Sequence, residues 1–289
     1  MIIGGNKEAV IANIQRRVKA GEFNAKVEVG DPQMTTAAQV AIAERAIARH
    51  DRLDYRLNNL VARGAMNVAA RIVNRHTHYT GMDHLRRLRG GAIITSNHFN
   101  PLENLVERRL VQKALHRRMF IVSQATNLDF PGALGFLMNY ADTIPISPST
   151  QYMARIFPDT LGRVMAAGQL VLMYSEQEMW FNYRKPRPVK RGAYYYAARL
   201  GVPIVSCFVE IQDVGRPDND EFNQVRYVEH VLPLIYPDPA LSVRMNSEQM
   251  MQQDYQQKVA AYEQAYGRPL TYDFSPDDIA GWRQPQQQS

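Results

Sequence analysis

The chain has 289 residues, 45% of them hydrophobic, and its 34 Lys and Arg outnumber 28 Asp and Glu to give a formal net charge of +6. This length suits one large domain or two small ones, and the basic excess favours an anionic partner. The single cysteine, Cys207, excludes an internal disulfide and a thiolate metal cluster within one chain. The longest apolar runs fall far short of the roughly 20 residues that cross a bilayer, and no secretory signal is recognisable. We therefore expect no transmembrane helix and a cytoplasmic location.

Helices are predicted over residues 6–21 and 36–80. The first carries apolar residues on one side and basic residues nearby, which suits either packing on the domain or contact with an anionic membrane surface. In the second, Thr36 and Gln39 have the spacing of a capping box. Apolar residues then recur three or four positions apart, which predicts a packed stripe: Val40, Ala43, Ile47, Leu53, Leu57, Leu60 and Val61. Residues 1–80 are thus predicted to be a helical extension that packs on the core or on a membrane surface.

From about residue 90 short β-branched runs alternate with helical stretches. This alternation predicts an α/β fold with a mostly parallel central sheet flanked by helices, over residues 81–240. Residues 241–289 are predicted to form a polar helix and a disordered tail, "RQPQQQS". The helical stretches are 103–117, 131–140, 152–167 and 189–200, and the strand-like runs are "GAIITSN", "MFIVSQ", "DTIPIS", "QLVLMYS", "VPIVSCFVEI" and "VRYVEHVLPLIY".

Two basic stretches interrupt this pattern. "ERRLVQKALHRR" (107–118) has five basic residues and one acidic one, and "RKPRPVKR" (184–191) has five and none. Either can be a solvated face or a surface for anions.

The stretch "ITSNHFNPLENL" (94–105) places His98 at the end of a strand-like run, just before a helix. Asn100, Pro101 and Glu103 fit the N-cap, first and third positions of that helix, so a capping role explains all three. It does not explain His98. A carboxylate one turn away can bond one ring nitrogen and leave the other free as a general base. Glu103 can therefore be a cap, an orienter of His98, or both.

Four sequence blocks over about residues 84–212 resemble the glycerolipid acyltransferases, which include the 1-acylglycerol-3-phosphate acyltransferases. "NHFNPLE", with Asn97, is similar to that family's Asn-His, four-residue spacer, acid motif. "LVLMYSEQEMW" is similar to its strand that ends in Pro-Glu-Gly-Thr-Arg, with Glu176 at the glutamate. "KRGAYYYAARLGVPIVSCFV" resembles its basic-Gly-Ala helix, with Lys190, Arg191 and Gly192, and the Val-Pro-Ile-Val strand. "NYADTIPISPS" holds the place of an intermediate strand.

The resemblance implies transfer of a fatty acyl group from acyl-CoA or acyl carrier protein to the hydroxyl of a lysophospholipid-like acceptor. His98 would be the base, Glu103 its orienter, and Glu176 and Asn97 would help to bind substrate. Backbone N–H groups near 99–103 or 191–193 are the candidates to stabilise the oxyanion. No metal or cofactor is expected. Contact with a membrane surface is expected without a spanning helix.

The chain also departs from this family. Glu103 stands where aspartate is usual, Gln177, Glu178 and Met179 replace Gly, Thr and Arg, and Ser147 and Pro148 replace a common arginine. Two expected phosphate ligands are therefore missing. The nearby cations can replace them, or the acceptor can be a glycolipid or carry a larger headgroup. These cations are Arg184, Lys185, Arg187, Lys190 and Arg191.

Three other functional classes share some of these sequence features. A hydrolase with a covalent nucleophile is disfavoured because the chain has no G-x-S-x-G elbow and Cys207 lies in an apolar run. A non-catalytic lipid-binding protein with an acyltransferase-like fold stays open. Nucleic acid binding is disfavoured, because the aromatic residues beside the second basic stretch, Tyr194 to Tyr196, fall in a predicted helix where only part can face outward.

Overall fold

A computed structural model describes residues 7–30 and 34–283. Most of the predicted disordered tail lies outside these ranges. The described residues form a seven-stranded sheet in the order β1-β7-β6-β2-β5-β3-β4. The strands, in chain order from β1 to β7, are His78–Thr80, Ala92–Thr95, Met119–Gln124, Thr143–Ile146, Leu170–Leu172, Ile204–Pro217 and Asn223–Val231.

The sheet is mostly parallel, as predicted. β2 lies at its centre and pairs in parallel with β5 on one side and β6 on the other. The exception is β7, which is antiparallel to β6. Its neighbour β1 was not predicted, because three residues are too few to show an alternating pattern.

Helices cover both faces of the sheet. Successive residues of β2 point to opposite sides: Ile93 packs into one hydrophobic cluster and Ile94 into another. A strand buried on both faces needs a continuous apolar run, which "AII" provides. The helices α1 to α8 span Glu8–Lys19, Thr36–Ala48, Leu53–Val73, Asn104–Ala114, Gly132–Tyr140, Phe157–Ala166, Gly192–Leu200 and Val243–Tyr266.

Of the two alternatives for the first helix, the structure supports packing. Val10, Ile14 and Val18 of α1 are buried in a cluster that includes Trp180. The apolar side of α1 therefore faces the protein, and the membrane alternative for this helix is wrong.

The helical stretch predicted over 36–80 contains two helices, and four of the seven residues of its stripe are exposed. The cap of α2 is Thr35, whose hydroxyl accepts the N–H of Ala38 at 3.3 Å, one position before the predicted Thr36. Ala43 is buried. On α3, by contrast, four residues predicted to pack face outward: Leu53, Leu57, Leu60 and Val61. The prediction of packing is wrong for these four.

The predicted domain boundary at residue 80 divides the chain just after β1, which belongs to the sheet. None of the helices in the described ranges combines the length and the apolar character needed to cross a bilayer.

Candidate active site

His98 lies three residues beyond the end of β2, at the edge where the parallel strands finish. Ligand and catalytic groups of open α/β sheets collect at this edge. The neighbours Asn97 and Phe99 are buried, while the His98 side chain keeps 22% of its surface exposed. The ring is therefore anchored in the core and open to solvent on one side.

The buried carboxylate of Glu103 holds this ring. One oxygen pairs with Nδ1 of His98, and the other accepts the backbone N–H of Phe99 and, at 2.8 Å, that of Asn100. The side chain is 1% exposed. Because an ionised carboxylate only accepts, the bonded Nδ1 carries the proton and Nε2 keeps a lone pair. None of the described residues bonds Nε2.

Glu103 therefore has the geometry of both predicted roles. It accepts the N–H of Asn100, as a capping residue does, and the side chain of Asn100 accepts the N–H of Leu102 at 3.0 Å. The regular helix α4 begins only at Asn104, after a tight turn. The helix start that a cap at Asn100 predicts, at Pro101, is thus three residues too early, although the hydrogen bonds of the cap are present.

Tyr174 forms a wall beside the imidazole and was not predicted as a site residue. Its ring stacks on that of His98 with centroids 4.1 Å apart and planes 5° from parallel. Burial, with the charges of Glu103 and Glu107, raises the pKa of Tyr174 well above its ordinary value. The phenol therefore stays neutral, and the stack fixes the plane of the base. Its one sequence signal was its place between β5 and Glu176.

Glu176 and Arg187 clamp the backbone of His98. Glu176 accepts the N–H of His98 at 3.1 Å and pairs with the Arg187 guanidinium at 2.8 Å. Arg187 donates to the carbonyl of His98 at 3.3 Å, as does the N–H of Trp180 at 3.0 Å. Glu176 and Arg187 are both buried. In this structure Glu176 thus positions the backbone of His98, and its contact with substrate stays a prediction.

Breaking this clamp has a predictable cost. Arg187→Met leaves the Glu176 carboxylate buried without its cation, so we expect the free energy of unfolding to fall by about 3–5 kcal/mol. The double variant Glu176→Gln/Arg187→Met should regain part of that loss. Urea titration of both, with the exposed Arg191→Met as the matched control, checks this. A stable Arg187→Met that lost only affinity for phosphate would return Arg187 to the predicted ligand role.

Asn97 joins two strands. Its side-chain amide donates to the carbonyl of Val209 at 3.0 Å and accepts the N–H of Val209 at 2.8 Å. It is buried. Both polar ends of the side chain thus extend the pairing of β2 with β6, and contact of Asn97 with substrate stays a prediction.

Arg184 and Lys185 are also committed to the interior. Arg184 pairs with Asp213 at 2.6 Å, and Lys185 pairs with Asp278 at 2.7 Å. Each also donates to a backbone carbonyl, at 2.6 and 2.7 Å. A buried cation needs such neutralisation, so these two residues stabilise the fold, and their role as phosphate ligands stays a prediction.

Lys190, Arg191 and Gly192 are exposed where α7 begins. The N–H of Lys190 donates to Ser175 at 2.7 Å, which ties this segment to the loop of Glu176. Arg191 lies 3.5 Å from Glu248 in an exposed pair. Their contact with substrate stays a prediction.

Two segments were predicted to stabilise the oxyanion, and in the first of them, residues 99–103, the N–H groups are already engaged. The N–H groups of Phe99 and Asn100 bind Glu103, that of Leu102 binds Asn100, and that of Glu103 donates to the carbonyl of Asn100. Pro101 has none. The first-turn amides of α7 have no intrahelical acceptor and remain the candidates.

Gln177 adopts a backbone conformation that is usual for glycine. Its φ is 71°, in the left-handed region that a non-glycine residue enters at a cost of about 1–2 kcal/mol. This is the position where the acyltransferase-like motif has glycine.

Two buried carboxyls lie behind the His98–Glu103 pair. Glu107, one turn after Glu103 on α4, and Glu229 of β7 are both fully buried, with Ser96 beside the first and Cys207 beside the second. Burial, with the charge of Glu229, raises the pKa of Glu107 well above its ordinary value, and burial raises the pKa of Glu229 to about 7.

The stability of the fold should therefore depend on Glu229 in neutral solution. The pKa of Glu229 is higher in the folded protein than in the unfolded chain, so its protonated carboxyl contributes to the free energy of unfolding. This contribution is complete below the unfolded pKa of 4.5 and is lost as the pH rises through about 7. We expect the free energy of unfolding to fall between pH 5 and pH 8, and Glu229→Gln to reduce that fall. Thermal melts at the two pH values check this, with the exposed Glu44→Gln as control. An unchanged slope in Glu229→Gln would contradict it.

Two comparisons relate this chain to known proteins. Residues 76–210 match the family model described as Acyltransferase. These residues form an acyltransferase domain. The resemblance drawn from the four sequence blocks is thereby confirmed. The matched region includes His98, Glu103, Tyr174, Glu176 and Arg187 and ends within β6.

The acyltransferase domain also has a structural neighbour. The crystal structure of the 1-acyl-sn-glycerophosphate (LPA) acyltransferase PlsC from Thermotoga maritima is similar over 90% of this chain and 99% of that one, with a TM-score of 0.52 and 11% sequence identity. At this identity the likeness supports the fold. No curated protein sequence matches the chain significantly.

Proposed function

We propose that this acyltransferase moves a fatty acyl group from an acyl thioester, acyl-CoA or acyl carrier protein, to the hydroxyl of a lysophospholipid-like acceptor in lipid biosynthesis. The observation that carries the proposal is the imidazole of His98, bonded through Nδ1 to a buried carboxylate and left open at Nε2. An imidazole held in this way can act as a general base, because its Nε2 lone pair is free to accept a proton.

The reaction follows from that arrangement. A free alcohol ionises far above neutral pH, so Nε2 of His98 removes the proton as the oxygen attacks the thioester carbonyl. Glu103 stabilises the imidazolium that develops. When the tetrahedral intermediate collapses, the C–S bond breaks and the imidazolium returns its proton to the sulfur. The products are an ester and a free thiol.

Two classes of acceptor are compatible with the proposal. Arg184, Lys185 and Arg187 are each engaged by a carboxylate, which leaves Lys190 and Arg191 as exposed cations of the second basic stretch. A glycerol-phosphate headgroup would therefore meet Lys190, Arg191 and the amide of Gly192. The shortage of free cations favours, as a second candidate, an acceptor without a terminal phosphate, such as a glycolipid.

Release of free thiol separates these possibilities. The protein is mixed with acyl-CoA or acyl carrier protein of several chain lengths, and thiol is measured with and without a lysophosphatidate, a lysophospholipid with a larger headgroup, or a glycolipid. We expect release that depends on one class of acceptor. Release with no donor and acceptor pair, together with tight binding of lipid, would instead establish the non-catalytic lipid-binding alternative.

We further propose that the protein works in the cytoplasm on a membrane surface, which α3 contacts. Large apolar side chains are exposed along this helix, with Leu57 68% exposed, and arginines flank them. An apolar stripe beside basic residues suits an anionic bilayer. The exposed apolar residues of α3 are Leu53, Leu57, Leu60, Val61, Val68, Ile72 and Val73.

Vesicle binding tests this contact. Leu57→Ser/Leu60→Ser should weaken partitioning onto vesicles of phosphatidylcholine and phosphatidylglycerol by about tenfold or more, because less apolar area leaves water. Sedimentation with the vesicles measures it. The control is Val214→Ser/Met245→Ser, which removes exposed apolar side chains elsewhere. Equal loss in both double variants would argue against α3 as the contact.

A further inference from the structure

The first basic stretch, 107–118, contributes to a cavity remote from His98. Arg117 and Arg118 immediately precede β3, and Gln169 immediately precedes β5, whereas His98 follows the end of β2. These strands are parallel. The cavity thus lies at the edge where the strands begin, one strand length of about 13–20 Å from the edge that carries His98.

This cavity has a volume of about 290 Å³ and a strongly basic lining. The lining includes four arginines, from α3, α4 and the start of β3, and it contains no carboxylate. The polar residues of the lining include Arg63, Asn67, Arg108, Gln112, Arg117 and Arg118. The space is large enough for a phosphate or diphosphate group.

Asp142 pairs with one of these arginines and leaves the charge of the others unbalanced. Asp142 is buried and pairs with Arg118. Arg117 donates to the carbonyls of Leu88, Gly90 and Gly168 and to no carboxylate. In the part of the chain that the structure describes, Arg63 has no hydrogen bond or ion pair.

Arg108 is the clearest sign of a missing anion. It is 4% exposed, and its one acceptor is the carbonyl of Ala141 at 3.1 Å. Its Nε is buried with no partner among the described residues. A buried guanidinium with a free donor is costly unless an acceptor completes it. Burial lowers the pKa of Arg108, Asp142 opposes this, and the charges of Arg63 and Arg118 add to it, which is the field that a bound anion would relieve.

We propose that this cavity binds the phosphate group of a phosphorylated ligand at a site separate from the acyl-transfer centre. Arginine presents planar, bidentate donors that match phosphate oxygens. Asn67, whose side-chain oxygen accepts Nε2 of Gln112 at 2.9 Å, adds its own NH2 group at the wall. The inference stands on the cavity and its charges and does not rest on acyl transfer.

Two sources offer this chemistry. A soluble phosphate ester can enter from solvent. A phospholipid headgroup can also reach the cavity, because α3 supplies Arg63 and Asn67 to the lining and carries the exposed apolar stripe on the same helix. The shared feature is a phosphate with free oxygens.

Binding of inorganic pyrophosphate, measured by calorimetry at constant ionic strength, tests the soluble source. Vesicles of phosphatidylcholine with and without phosphatidate test the lipid source. We expect Arg63→Gln to weaken binding of one probe by about tenfold, since it removes a charge-assisted hydrogen bond and no contact within the fold. Arg71→Gln, at an exposed residue of α3 outside the cavity, makes the same change of charge. It should bind pyrophosphate as the wild type does and should lose less affinity for phosphatidate vesicles than Arg63→Gln does.

Each outcome decides the proposal. Arg63-dependent binding of pyrophosphate supports a soluble ligand, and Arg63-dependent binding of phosphatidate vesicles alone supports a lipid headgroup. His98→Ala should leave either binding unchanged, so failure of the acyltransferase proposal would not affect this result. Absence of binding to both probes, or equal loss in Arg63→Gln and Arg71→Gln, would overturn the site.

Discussion

Glu103→Gln is expected to lower acyl transfer by about 10³- to 10⁴-fold in a protein that still folds. The amide oxygen of glutamine can accept the N–H groups of Phe99 and Asn100, so the turn before α4 is kept. Its NH2 then faces Nδ1 of His98 and donates to it. That bond requires the proton on Nε2, and a base held in the wrong tautomer cannot accept the proton of the acceptor.

Turnover and thermal unfolding of the same preparations measure the two effects. Glu103→Ala is the comparison, because it removes the acceptor of both N–H groups as well as the partner of His98 and should lower activity and stability together. If Glu103→Gln lost as much stability as Glu103→Ala and little activity, Glu103 would be a helix cap only.

The part of the site that sequence could predict is the part formed by neighbours in the chain. His98 and Glu103 are five residues apart, at the junction of a strand and a helix, and local geometry brings the carboxylate back to the ring. The sheet was predictable for a similar reason, since strands such as β2 are buried on both faces and show continuous apolar runs.

The roles of the cations were not predictable, because their partners are distant in sequence. Arg184 meets Asp213, and Lys185 meets Asp278, 93 positions further along the chain. From sequence alone, a buried ion pair and a surface that binds phosphate show the same basic residues. The contact of Glu176 with the backbone of His98 was not predictable for the same reason, because it spans 78 positions.

The stripe on α3 shows a different limit. Residues such as Leu57 and Leu60 have the spacing of a packed helix face, yet they are exposed. Periodicity identifies an apolar face but does not identify what covers it. A neighbouring helix and a lipid surface give the same pattern.

The most direct test of the account is acceptor-dependent thiol release by the wild type and by His98→Ala, measured with saturating donor. The substitution removes the ring and its stack on Tyr174, while Glu103 keeps two backbone donors, so the fold should persist. We predict a rate lower by about 10²- to 10⁴-fold, the usual contribution of a general base, at an unchanged melting temperature. Acceptor-dependent release by His98→Ala at the wild-type rate would contradict the account.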